Sequence, residues 1–209
     1  MKLGKIEMRT VTGLFDNHRD ATDAVARLES LGVPHADISL VANNSENWYS
    51  DSPGERSDAG QDAAGGAGLG AVVGGTGGLL TGLGLIAIPG LGPVVAAGWL
   101  VATAVGAVAG AAVGGAAGGM IGALTEAGVS EADANVYAEG VRRGGSLVTA
   151  RVDDNLAAEA QDILASSHVD VAARRSDYEA EGWTRFDPDA DDIAGDEVDP
   201  IRPRPPGLV

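Results

Sequence analysis

The residues from Ala63 to Thr125 contain no Asp, Glu, Lys, Arg or His, and no other feature of the chain constrains its fold as strongly. Within them glycine recurs at every fourth position, as Gly66, Gly70, Gly74, Gly78 and Gly82 and again as Gly106, Gly110, Gly114, Gly118 and Gly122. Four residues turn an α-helix through about 400°, so each series leaves one slowly drifting face without side chains, where another backbone can approach closely. Between the two series stands Pro89-Gly90-Leu91-Gly92-Pro93. Both prolines lack an N–H donor and both glycines admit positive φ, so a helix does not run through this segment. The pattern predicts a glycine-zipper helical hairpin over 63–125. Its turn lies at Pro89, Gly90, Gly92 and Pro93, and the two glycine series are its helix-packing residues.

Such a hairpin has to be buried in something. Each interior glycine is about 1 kcal/mol worse than alanine in a helix, and Ala63–Ile88 is dense in glycine, so the first arm is not expected to be helical alone in water. Ala67–Ile88 would make about 33 Å of helix and Pro93–Thr125 about 50 Å, against a hydrocarbon core of about 30 Å. Val94–Val113 is the most apolar single segment. Trp99 suits an interfacial position or a packed core equally. Against insertion, Asp58, Asp62, Glu126, Glu131 and Asp133 flank the stretch with few cations near them. Two settings therefore stay open: a lipid bilayer, and a water-soluble homo-oligomer whose hairpins bury one another.

Charge narrows the partners. The 209 residues carry 14 Lys and Arg against 30 Asp and Glu, a formal net charge of -16. Nucleic acid is thereby excluded as a partner, since binding a polyanion needs a basic patch and Lys2, Lys5, Arg9, Arg142 and Arg143 are outnumbered. With no cysteine there are no disulfides, thiolate metal sites or thiol nucleophiles, which fits a reducing compartment. Met1–Thr10 has no apolar run of the signal-peptide kind, so the expected location is cytoplasmic, at the inner membrane if the hairpin inserts, with both termini on the cytoplasmic side.

On either side of the zipper the hydrophobic period changes. Val11 and Phe15 alternate with polar partners in a strand reading Met8 to Phe15, and Ala21, Ala24, Val25, Leu28 and Leu31 recur at helical spacing until Gly32. Ile38-Ser39-Leu40-Val41 completes a βαβ unit over 6–42. A polar linker, 43–62, leads into the zipper. Beyond it Ser130 and Asp133 resemble a capping box for a helix carrying Ala134, Tyr137, Ala138 and Val141. A strand at Ser146–Val152, a helix from Asn155 with Leu156, Ala160, Ile163 and Leu164 inward, and a last short strand at Val169–Ala172 follow. With that helix they make a second half over 126–175. Val11-Thr12 and Asp16 stand in the first half where Val148-Thr149 and Asp153 stand in the second. The expected fold is α+β, a ferredoxin-like, split βαβ sheet with the hairpin inserted between halves. On this reading the sheet domain folds without 63–125.

Val11-Thr12-Gly13-Leu14-Phe15, followed by Asp23-Ala24-Val25, Leu28 and Gly32, resembles the bacterial heat-induced and general stress proteins of the YflT type. Tyr137-Ala138-Glu139-Gly140-Val141-Arg142-Arg143-Gly144-Gly145, leading into the Leu147–Val152 strand, is similar to the same family's helix-to-strand segment. The resemblance covers Met8 to about Ser176 without the linker. It implies a stress-associated α+β domain with no established catalytic residues, and a long zipper is a departure from the family's compact domain.

The remaining chain, 176–209, is acidic and proline-bearing and is expected to be a disordered tail. Trp183 and Phe186 interrupt it as a candidate docking motif, for a groove on the folded domain or on a neighbouring subunit. Asp187, Asp189, Asp191 and Asp192 lack the glycine and closing glutamate of a calcium loop. His18, His35 and His168 have no spacing that brings two onto one metal, and neither phosphate-binding glycine motif occurs. Glu139 with Arg142 and Arg143 reads as a set of solvated helix-surface ion pairs. The expectation is a non-enzymatic, self-associating protein with no cofactor, no metal and no catalytic residue.

Overall fold

The computed structural model describes residues 8–44, 84–88, 91–100, 102–103, 115–166, 169–187 and 190. Strand β1 (Met8–Phe15) leads into α1 (His18–Ser30), a 3-10 turn at His35–Asp37 and β2 (Ile38–Asn43). Strands β3 (Gly84–Ile88) and β4 (Gly92–Gly98) follow, then α2 (Gly115–Glu126), α3 (Glu131–Arg142), β5 (Ser146–Asp153), α4 (Ala157–Ala165) and α5 (Val171–Ala180). The strands form one sheet in the order β1-β5-β2-β4-β3, every neighbouring pair antiparallel. Strands β1 and β2 therefore run parallel to each other on either side of β5, with α1 as the crossover between them. This is a split βαβ arrangement.

Both faces of the sheet are covered. Val11, Phe15, Ile38, Leu40, Val148 and Ala150 meet Ala21, Ala24, Val25 and Leu28 of α1 and Ala160, Ile163 and Leu164 of α4. On the opposite face Leu14, Val41, Val94, Ala96 and Leu147 meet Met120, Ala123 and Leu124 of α2 and Ala134, Tyr137, Ala138 and Val141 of α3. A strand buried on both sides shows no polar alternation, and all six residues of β2 are indeed buried. The helix ends are those that the side chains dictate. Asn17 Oδ1 accepts the Asp20 N–H at 2.9 Å to start α1, and Ser130 Oγ accepts the Asp133 N–H at 3.0 Å to start α3.

Three expectations are corrected. First, Gly84–Ile88 and Pro93–Gly98 are not helical arms. They are strands joined through 89–91, with Ile88 opposite Gly92 and Gly84 opposite Ala96, and β4 pairs with β2 from Val94–Asn43 to Gly98–Ser39. The physical reason is composition: Leu-Ile-Ala-Ile and Val-Val-Ala-Ala are short apolar runs that suit strands, and Val94–Ala97 are buried. Pro93 lies one residue beyond the β2 pairing, where its missing N–H leaves no bond to β2 unmade.

Gly98 has φ +97°, and a Cβ there would stand 2.1 Å from the Ile38 carbonyl oxygen, so only glycine fits. Just beyond it the Leu100 N–H donates to Ser39 Oγ at 2.8 Å. Strands β3 and β4 thus belong to the domain's sheet, and Met120, Ala123 and Leu124 of α2 to its core.

Second, the strand expected at Val169–Ala172 is absent. Asp170 Oδ1 accepts the Ala173 N–H at 2.8 Å and so starts a helix, α5, through good helix formers. Third, the acidic tail expected from Ser176 begins inside α5, and the chain stays packed through Phe186.

Candidate functional site

Of the expected helix-packing glycines, Gly118 and Gly122 lie on α2, and the other eight fall outside the described residues. Met120, Ala123 and Leu124 turn inward, whereas Gly122 is exposed and a Cβ built on it meets nothing within 4 Å. Among the described residues, nothing packs on the glycine face at Gly122. Of the expected turn residues, Pro89 and Gly90 are outside the described residues, and Gly92 and Pro93 open β4. Among the described residues, no helix is long and apolar enough to cross a membrane.

A different glycine makes the close helix contact. At Gly140 a Cβ would lie 2.6 Å from Leu14 Cδ2, so α3 rests on β1 nearly at backbone distance. Gly145, just after α3, is held by an N–H bond to the Gly140 carbonyl at 2.9 Å and likewise leaves no room for a side chain. Spacing by four drew attention to α2, whereas this contact sits in Tyr-Ala-Glu-Gly-Val, a segment with no glycine repeat.

The C-terminal segment folds back over α3. Arg175 Nη2 donates to Asp133 Oδ1 at 2.5 Å near the start of α3, and Arg143 Nη1 donates to Glu181 Oε2 at 2.5 Å near its end. The chain then returns along the helix, so that Phe186 is 3% exposed and its N–H donates to Asn135 Oδ1 at 3.2 Å. Trp183 packs edge-on against Tyr178 with ring centroids 5.7 Å apart. Both residues of the candidate docking motif thus contact their own chain.

This cover corrects the reading of Glu139 as a solvated surface residue: its side chain is 0% exposed. It accepts hydrogen bonds from Arg142 Nη2 and Arg143 Nε, each at 2.7 Å, and the Arg143 guanidinium lies 4.1 Å over the Tyr178 ring. Burial by itself lowers the Arg143 pKa, but the bonds to Glu139 and Glu181 outweigh it, so the pKa stands above the ordinary arginine value.

The described residues enclose an open-mouthed cavity of about 500 Å³ beside the outer edge of β1. Thr12 comes from the strand, Asp133 and Tyr137 from α3, Gln161, Leu164 and Ala165 from α4, and Val169–Ala172 from the start of α5. Burial and then the neighbouring Asp133 carboxylate push the Tyr137 hydroxyl up to about 12, keeping it protonated at neutral pH. Asp133 is engaged by Arg175 and by the Ser130 hydroxyl at 2.6 Å. Thr12 stands directly opposite Thr149, and both hydroxyl oxygens are buried without a hydrogen-bond partner among the described residues. The lining offers hydroxyl, carboxylate, amide and aliphatic groups.

His18 and His35 are separate, His35 Nδ1 lying 2.8 Å from Glu29 Oε1, and His168 is outside the described residues. Sheet, helix layers and cavity define an α+β protein with an antiparallel sheet between two helical layers. No protein-family model, no curated protein and no solved structure matches the chain.

Proposed function

We propose that the chain is a non-enzymatic bacterial protein of the general-stress type that self-associates through the glycine-lined face of α2, its partner being a second copy of itself. The observation that carries this reading is Gly122, exposed on a helix whose opposite face is buried, with open space where a side chain would stand. A backbone bare at that point lets a second helix approach closely. The stress-protein part of the reading rests on the likeness of the Val11–Phe15 and Tyr137–Gly145 segments to the YflT type. We read the fold as a ferredoxin-like plan in which α5 follows in chain order where a fourth strand would, leaving that strand's place along the edge of β1 open.

In this reading the assembly is water-soluble and cytoplasmic, consistent with the lack of cysteine and with the packing of Val94, Val95 and Ala96 in the sheet. Membrane association is the second reading. It draws on Ala63–Leu83, which holds no charged residue and lies outside the described residues. Gly122→Leu tests the main proposal, because leucine fills the open face while improving helix propensity. Native mass spectrometry is expected to show loss of the assembled species with unchanged circular dichroism, and an unchanged mass distribution overturns the proposal. Carbonate washing of cell membranes separates the two settings, retention in the pellet favouring the second.

A further inference from the structure

We infer that the cavity beside β1 is a binding site for a small uncharged molecule combining an apolar body with a hydrogen-bond acceptor such as a carbonyl. Its volume, about 500 Å³, lies in the range of small-molecule sites, which pair apolar walls with a few placed polar groups. Leu164 of α4 and Val169 and Val171 at the start of α5 supply aliphatic wall. Tyr137, 7% exposed, lines the cavity and supplies a hydroxyl donor, and Thr12 adds a buried hydroxyl that has no hydrogen-bond partner among the described residues. The orphaned Thr12 hydroxyl is a group that a bound molecule would satisfy. Gln161 adds an amide at the mouth, able to donate or accept.

Charge selects against ions. Asp133 and Asp170 both line the space and disfavour an anion. Neither carboxylate is free to hold a cation: Asp133 is committed to Arg175 and Ser130, and Asp170, exposed to water, caps α5 through the Ala173 N–H. The same ties hold the walls in place, since Ser130 and Asp133 anchor the start of α3 and Asp170 anchors the start of α5. The cavity is thus framed by helix termini whose capping bonds are already made.

Three probes with one ring test the assignment on the full chain: cyclohexanecarboxamide, cyclohexanecarboxylate and cyclohexylammonium, titrated at neutral pH and followed by backbone amide NMR. The carboxamide is expected to shift the amide signals of Thr12, Gln161 and Val171 saturably, and each charged probe to bind at least about tenfold more weakly. Tyr137→Phe keeps the ring packing and is expected to weaken carboxamide binding by about tenfold, the worth of one hydrogen bond. Ala172→Leu, which fills the mouth without touching Tyr137, is expected to abolish it. The inference is overturned by no saturable carboxamide shift, by a charged probe binding equally well, or by a Tyr137→Phe variant with unchanged affinity.

Discussion

Gly140 of α3 and Leu14 of β1 are packed so closely that a methyl group on Gly140 would stand 2.6 Å from Leu14 Cδ2 and 2.9 Å from Leu14 Cδ1. Leu14 is 2% exposed and belongs to the core on that face of the sheet. Gly140→Ala is therefore expected to destabilise the fold even though alanine is the better helix former. Overpacking of about 1–3 kcal/mol outweighs a propensity gain of about 1 kcal/mol. Urea unfolding with an unchanged m-value measures the difference, and a stabilised variant would show that α3 does not rest on β1 as described.

Gly122 gives the opposite sign. It is also an interior helix glycine, but the space beyond it is open, so Gly122→Ala is expected to raise the stability of the single folded chain by about 1 kcal/mol. The comparison is made at a concentration where only the unassembled chain is present. A loss of stability there would mean that the face of α2 at Gly122 is occupied within the chain.

At Gly98 no compensation is available. Its φ of +97° and the 2.1 Å approach of the Ile38 carbonyl to a built Cβ both oppose any side chain, so Gly98→Ala is expected to cost about 3 kcal/mol or more. The measurement also decides between two conformations of the same segment. In a helix over Val94–Val113 this substitution would be favourable. A stabilised Gly98→Ala protein would restore the helical reading.

How far the sequence was legible follows from these glycines. Strands β1 and β5 and helices α1, α3 and α4 were readable because their apolar residues keep periods of two or 3.6 with turn residues at the ends, and β2 as a short, mainly apolar run between turn signals. The Ser130 cap was readable for the same local reason. Strands β3 and β4 were not, because an unbroken apolar run in a sheet covered on both sides has no alternation, and a four-residue glycine spacing imitates a helix face. At α5 the apolar Val169–Ala172 resembled a strand, although Asp170 three residues before Ala173 was a cap signal. Glu139, the Gly140 contact and the cavity depend on contacts between segments far apart in sequence. The covering segment 171–187 is what turns an ordinary polar helix position into a buried one.

Alkaline titration tests the surroundings of Tyr137. Its folded pKa of about 12 stands above the ordinary tyrosine value of 10.0, so the folded chain holds the phenolic proton more tightly than the unfolded chain. The contribution is fully present below pH 10 and is lost as pH rises towards 12, by about 3 kcal/mol for a shift of this size. The stability difference between the protein and Tyr137→Phe is expected to be constant from pH 7 to about 9.5 and then to change steeply. A difference independent of pH up to 12 would mean that the hydroxyl is solvated in the folded state.

The ion cluster on α3 separates a buried charge from an exposed one. Glu139 is 0% exposed and accepts bonds from two guanidinium groups whose side chains are only 16% and 14% exposed, whereas Glu181 is 38% exposed and contacts Arg143 alone. Removing one member of a buried pair leaves its partners without compensation in a medium that cannot hydrate them, at about 3–5 kcal/mol, while an exposed pair contributes about 1 kcal/mol or less. Glu139→Ala is thus expected to destabilise several times more than Glu181→Ala. A helix effect does not account for the loss, because alanine is at least as good a helix former as glutamate. Urea unfolding of the two variants side by side makes the comparison. Equal, small losses would mean that water reaches Glu139, and hence that α5 and the chain returning to Phe186 do not cover α3 in solution.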